Sequence, residues 1–425
     1  MVLVAALVSA AMLLGFSASG NLPSWDSSPN ASARTGSFAY VPTSGLPPYA
    51  FVPYGNGLAL TPPMGWNGYN HFGYAVTADT VRAMARTLVA SGMKALGYTN
   101  VNLDGGWDLP NRSANGELQP DPKKFPHGIK PVADYVHALG LKFGIYASAG
   151  YKNCAATSAG SFGHYQQDAS AFAAWGVDYV KLDWCYLPVR KYSFMSHAAL
   201  SQMLARQFGN AILGSGRRML LDVNDWIDPS TSAWASNLGN MWRTGLDISD
   251  NYQSVLANFI RDMSHYLDAG PDHWNDPDML EVGNGGMSLN EQRTQFSLWA
   301  ELAAPLIAGN DLTNMSHDVF AILTNTQVIA VDQDSLGQQG YPVTNRNGHW
   351  VLTKALENGD RAVVLFDQTG RPAVIRTTIS AIGLSGATRY QLRDVWTGSV
   401  TTTKSVISTL VPAHGVVMYI VGPSA

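Results

Sequence analysis

The stretch Trp175–Cys185, WGVDYVKLDWC, decides the reading of the fold. Upstream of it Tyr165, Ala169, Phe172 and Trp175 repeat at helical spacing, and Gly176 is the stop. Asp178–Asp183 then reads as a short apolar strand. Lys181 and Asp183 are two apart, so on a strand they share one face. The same helix-and-strand unit recurs on both sides of this stretch. Strands are expected at Met64–Asn67, Thr99–Asp104, Lys142–Tyr146, Asp178–Asp183, Arg218–Val223, Met241–Thr244, His273–Asn275 and Ala304–Ala308. Helical patterns lie between them. Thr77 is a candidate N-cap ahead of Val81, Met84, Ala85 and Leu88, with Gly92 as the stop; Ile129, Val132, Val136 and Leu139 are closed by Gly140. Strand–helix units repeated in this way over residues 58–340 predict an α/β chain folded as a (β/α)8 TIM barrel. A doubly wound open sheet is the alternative, but no Gly-rich phosphate loop follows a strand.

Beyond Gly340 the helical period disappears. Trp350–Leu356, Arg361–Asp367, Arg389–Val395 and Val416–Val421 read as strands, and Asn347-Gly348 and Asn358-Gly359 are hairpin-turn signals. Residues 341–425 are therefore expected to form a small antiparallel β-sandwich domain. At the other end, Val2–Phe16 is an apolar run with small residues after it, so residues 1–20 read as a secretory signal peptide and the protein as secreted, extracellular or periplasmic. The Pro/Ser/Gly-rich residues 21–57 read as an arm or linker. No other apolar run reaches the length of a membrane span.

Composition narrows the function. The 425 residues carry a net charge of −4, too small and of the wrong sign for a nucleic-acid binder built on a basic patch. Charged residues make up 14% and aromatics 10%, which excludes a disordered chain and suits a rigid secreted enzyme or lectin whose rings stack on sugars. The two cysteines, Cys154 and Cys185, are too few for a multi-thiolate metal site and can form one disulfide.

In a (β/α)8 barrel the active site lies at the C-terminal ends of the strands. Those ends are acidic here: Asp104, Asp183, Asp225, Asp247, Asp276, Asp278 and Asp311, with Tyr146 on the third strand. Such a ring can hold a divalent metal, act as an acid/base pair or hydrogen-bond sugar hydroxyls. Histidine is absent from these ends apart from His273, so neither a metal nor any other cofactor is expected. Lys181 beside Asp183 favours an ionised carboxylate, as a nucleophile needs; a self-satisfied buried ion pair is the other reading. Arg243 and Asp247 share parity if their strand runs that far. Two carboxylates at one barrel mouth are the minimum for glycoside hydrolysis.

Seven stretches in order, LALTPPMGWNGYNHFG, VNLDGGW, GIYASAG, WGVDYVKLDWC, WRTGLD, WNDPDMLEVGNGGM and VIAVDQDSLGQQG, closely resemble glycoside hydrolase family 27, the α-galactosidase and α-N-acetylgalactosaminidase family. The resemblance covers roughly residues 58–340, with a looser match beyond. It implies a retaining α-glycosidase acting on an oligosaccharide or glycoside, with Asp183 as nucleophile and Asp247 as acid/base. It implies a sugar-binding set of Trp66, Asp104, Tyr146, Lys181, Asp225 and Arg243, and a Cys154–Cys185 disulfide. α-Galactosides are the first expectation for the substrate. A β-L-arabinopyranosidase, an isomaltose-releasing dextranase and a non-catalytic sugar-binding barrel are the alternatives.

The departures from the family pattern concern the sugar pocket. After the second strand most members carry a second Asp that grips the 4- and 6-hydroxyls of galactose, and many have a disulfide cysteine next. Gly105 and Gly106 stand at those positions, and the partner cysteine is missing too. Asn224 replaces another frequent cysteine.

Overall fold

The computed structural model describes residues 56–225 and 230–424. The expected signal peptide and all but the last two residues of the expected arm lie outside the described residues. The barrel strands are β1 (Met64–Asn67), β2 (Asn100–Leu103), β3 (Lys142–Ser148), β4 (Tyr179–Asp183), β5 (Leu220–Asn224), β6 (Met241–Arg243), β7 (Trp274–Asp276) and β8 (Leu306–Ala308). They form one parallel sheet in the order β7-β6-β5-β4-β3-β2-β1-β8. The circle closes beyond β7, where Leu280 bridges to Ala308 through Leu280 N–H to Ile307 O (2.8 Å) and Gly309 N–H to Leu280 O (2.9 Å).

Local signals account for most of the element ends. The Thr77 side chain accepts from Thr80 N–H and caps helix Ala78–Ala90, whose buried face is Val81, Met84, Ala85 and Leu88. Helix Tyr165–Trp175 ends on Gly176 in the left-handed conformation, and β4 begins three residues later. Most strand bounds differ from the sequence expectation by one or two residues, and two of these differences bear on the site. β3 runs two residues beyond Tyr146 to Ser148, because it stays paired with β4 up to Asp183. β6 stops at Arg243, so Asp247 sits in the following loop and strand parity does not relate the two residues.

The rest of the chain is β structure: β9 (Tyr341–Arg346), β10 (His349–Ala355), β11 (Arg361–Asp367), β12 (Ala373–Thr378), β13 (Tyr390–Asp394), β14 (Val400–Thr403), β15 (Val406–Val411) and β16 (Gly415–Pro423). A six-stranded sheet ordered β14-β13-β16-β11-β10-β9 faces the two-stranded β12-β15. Asn347 and Gly348, both at positive φ, make the tight β9–β10 hairpin. β11 is apolar at nearly every position because both of its faces are buried. Val363 and Leu365 join the core shared with β12 and β15, while Ala362, Val364 and Phe366 join the barrel core. Phe259 of the barrel packs edge-on against Trp350 and Phe366, with ring centroids 5.4 and 5.6 Å away.

Two acids sit inside the barrel wall. Asp222 on β5 accepts from Tyr179 Oη (2.9 Å), and burial pushes its pKa up to about 7. Asp262, on helix Tyr252–Met263, accepts from Thr244 Oγ1 and Gln339 Nε2 (both 2.7 Å), and burial likewise lifts it to about 7. The folded chain therefore holds these protons across pH 4–7, where the unfolded chain has released them. Their contribution to stability is complete below the unfolded pKa and is lost as pH rises through about 7. Each extra proton held is worth about 1.4 kcal/mol per pH unit. The urea midpoint is expected to be higher at pH 5 than at pH 7.5; a midpoint that rises over this interval contradicts the assignment.

Candidate active site

Asp183 is the last residue of β4 and is only 8% exposed. Its Oδ1 accepts from Trp184 N–H (3.0 Å) and Asn224 Nδ2 (3.2 Å), and its Oδ2 accepts from Tyr146 Oη (3.0 Å). Three donors from two strands and a turn thus fix the carboxylate plane. Burial raises its pKa; Lys181 and Tyr146 pull it back, while the charges of Asp247 and Asp104 add to the rise. From the sequence, the ammonium beside Asp183 favours its ionised form, with a self-satisfied ion pair as the other reading. In the structure burial outweighs the ammonium, and Lys181 Nζ is bonded to Asp104 Oδ2 (2.8 Å) and reaches Asp183 only through space.

Asp104, just past β2, is held on three sides. Asn67 Nδ2 (2.7 Å) and Lys181 Nζ donate to Oδ2, and Gly105 N–H (2.7 Å) donates to Oδ1. Burial works against its ionisation, yet Lys181 and these donors together bring its pKa below the ordinary carboxylate value. Lys181 in turn is desolvated, but Asp104, Asp183 and Asp278 together outweigh that and keep it protonated. Its Nζ lies 5.8 Å from the centroid of the Tyr146 ring.

On the other side of the mouth, buried Arg243 gathers three carboxylates. Its Nη1 meets Asp247 Oδ1 and Asp278 Oδ2 (both 2.9 Å), and its Nε meets Asp276 Oδ2 (3.4 Å). Asp278 also accepts from Ile248 N–H (2.8 Å), which pins the loop that carries Asp247. Burial pushes Asp278 up to about 6, against the pull of Arg243. Asp247 has a side chain 76% exposed, so one carboxylate is buried at the mouth and the other is open to solvent.

The remaining candidates are placed as follows. Trp66 on β1 is fully buried and donates through Nε1 to Asn310 O (2.8 Å). Asp225 is also fully buried; its Oδ1 lies 3.5 Å from His197 Nε2, and residues 226–229, which follow it, are outside the described residues. Cys154 and Cys185 form a disulfide with Cα atoms 4.9 Å apart. It ties the loop after β3 to the end of β4 and brings Cys154 Sγ to 2.9 Å from Asp183 Oδ2. Closing a loop of this length typically stabilises by about 2–4 kcal/mol. A Cβ on Gly150 would fall 2.0 Å from Cys185 O, so only glycine lets the two loops meet here. Cys154, Asp183 and Cys185 are the one His/Cys/Asp/Glu group among the described residues with metal-ligand spacing, and the disulfide leaves no thiolate there to ligate.

Several positioning residues had not been assigned from the sequence. Asn67 and Asn224 orient the two buried carboxylates, and the strand-end rule that found the acids points to them as well. Asp276 and Asp278, among the strand-end acids, hold Arg243, which holds Asp247.

A family model described as "Alpha galactosidase A" matches residues 61–334, and one for the "Alpha galactosidase C-terminal beta sandwich domain" matches residues 346–421. The chain belongs to glycoside hydrolase family 27. This family 27 chain is 40% identical over 370 residues to an α-galactosidase of Cyamopsis tetragonoloba, covering 87% of this chain and 88% of the relative. It is 42% identical over 373 residues to an α-galactosidase of Oryza sativa subsp. japonica, covering 87% and 86%. Its structure is similar to the crystal structure of α-galactosidase I from Mortierella vinacea: TM-score 0.82, 33% identity, 87% of this chain and 99% of that one. As a family 27 member the protein is a glycoside hydrolase with a TIM-like barrel and an antiparallel C-terminal domain. Among the described residues no helix is long and apolar enough to cross a membrane.

Proposed function

We propose that the protein is a secreted, retaining α-galactosidase that works by double displacement. The observation that carries this is the contrast between two carboxylates at one mouth: Asp183, buried and gripped by three donors, and Asp247, solvent-exposed and steered by Arg243. A nucleophile needs a fixed oxygen, whereas an acid/base needs access to the leaving group and to water. Asp183 attacks the anomeric carbon as the bond to the leaving oxygen breaks, and Asp247 gives that oxygen its proton. Water then attacks the same carbon, Asp247 takes the water proton, and Asp183 is released. Two inversions restore the starting configuration. Secretion is supported by the apolar N-terminal run and by the disulfide, which persists in oxidising compartments.

Hydrolysis of a panel of aryl α- and β-glycosides tests this reading. Turnover of the α-galactoside with α-galactose as first product supports it. Preference for the β-L-arabinopyranoside, or release of isomaltose from dextran, replaces the glycone, and inactivity on every member points to a non-catalytic sugar-binding barrel. Gly105 is the place to probe specificity. A Cβ there would sit 3.7 Å from Tyr74 and Tyr146 carbons, an ordinary contact, so a side chain is tolerated. A carboxylate bonded to a sugar hydroxyl is worth about 1.5–3 kcal/mol, or roughly 10- to 150-fold. Gly105→Asp is expected to raise the α-galactoside over α-glucoside ratio of kcat/KM by about 10-fold or more. An unchanged ratio would show that this position does not set the glycone.

A further inference from the structure

Asp104 is followed by two glycines, and what covers them comes from the turn after β1. The Tyr74 ring lies against this bare backbone. A Cβ on Gly105 would be 3.7 Å from Tyr74 Cε1, and one on Gly106, at φ +91°, would be 2.2 Å from Tyr74 Cδ1. Tyr69 packs edge-on against Tyr74, with ring centroids 5.5 Å apart, and their hydroxyls are 3.2 Å apart. Tyr74 is nevertheless 38% exposed. A partly exposed ring that is fixed on two sides, with its hydroxyl partnered by Tyr69, is a preorganised donor and acceptor. Desolvation, the Tyr69 hydroxyl and the charges of Asp104 and Asp183 all raise its pKa, so it remains a neutral phenol. Gly105 N–H bonds Asp104 Oδ1, and a Cβ on Gly105 would also be 3.7 Å from Tyr146 Cε1, whose ring carries the hydroxyl bonded to Asp183, so Tyr74 stands beside groups that hold both buried carboxylates.

We propose that Tyr74 contacts the glycone and helps set specificity: its hydroxyl, oriented by Tyr69, hydrogen-bonds a sugar hydroxyl next to the one that Asp104 takes. This rests on the glycosidase reading above. It replaces a charged grip at this edge of the pocket with a neutral one, which binds less tightly and discriminates less.

The test is a cycle between protein and substrate. kcat/KM is measured for an aryl α-galactoside and its 2-, 3-, 4- and 6-deoxy analogues, with the wild type, Tyr74→Phe and Tyr69→Phe. Tyr74→Phe is expected to cost about 3- to 10-fold on the parent, the worth of a neutral hydrogen bond. On one deoxy analogue the same substitution is expected to cost nothing further, because the partner hydroxyl is already gone. Tyr69→Phe is expected to show a smaller loss at the same sugar position. An equal loss on the parent and all four analogues would reduce Tyr74 to a packing role and overturn the proposal, as would no loss on the parent. Wild-type turnover of the parent separates the two readings: its absence defeats the galactosidase assignment and this inference with it, whereas turnover without a position-specific loss defeats only the inference.

Discussion

Asp183→Ala is expected to lower kcat/KM for an aryl α-galactoside by on the order of 10^4-fold or more while leaving the chain folded. The carboxylate is the group that would form the bond to the anomeric carbon, and nothing beside it can substitute: Tyr146 is a neutral phenol and Asn224 a neutral amide. The fold has little to lose, because burial already disfavours the charged form of Asp183. Added azide distinguishes a lost nucleophile from a damaged site. Azide fills the space of the missing carboxylate and attacks from the β face, while Asp247 still protonates the leaving oxygen. The product is then a β-galactosyl azide, formed by one inversion. Near-wild-type activity of the Ala variant would sink the assignment, and a folded variant that makes no azide product would weaken it.

Asp247→Ala is expected to separate substrates by their leaving groups. A general acid contributes typically 10^2- to 10^4-fold, and most when the departing oxygen is a poor leaving group. The glycosylation step on a disaccharide should therefore fall by about 10^3-fold, and that on an activated aryl galactoside by about 10-fold or less. With the base also gone, hydrolysis of the galactosyl-enzyme slows, so the aryl substrate should show a burst. Azide needs no base. It should intercept the intermediate from the α face and yield an α-galactosyl azide, the anomer opposite to that from Asp183→Ala. Equal losses in the glycosylation step for both substrates would argue against an acid role. Arg243 cannot serve as a silent control, because it orients Asp247 and is itself buried among Asp276 and Asp278.

What the amino-acid order determined alone is whatever depends on neighbours a few residues away. Helix caps such as Thr77 and Gly176, the two-residue period that puts Lys181 and Asp183 on one face, and the repeat of strand and helix are all local. They were enough for the eight barrel strands and for acids at the strand ends. They failed for β9, β12, β14 and β15. β12, β14 and β15 are largely exposed and β9 is only partly buried, so burial imposes no strong apolar pattern on them. Tertiary structure alone decided how the charges are shared. Lys181 could bond either carboxylate; barrel closure gives it Asp104, 77 residues away, and leaves Asp183 dominated by desolvation. Arg243 likewise reaches Asp276 and Asp278, brought beside it by the pairing of β6 with β7. Desolvation and Coulomb terms depend on distances and solvent access through space, and these exist only once the strands have closed into a ring.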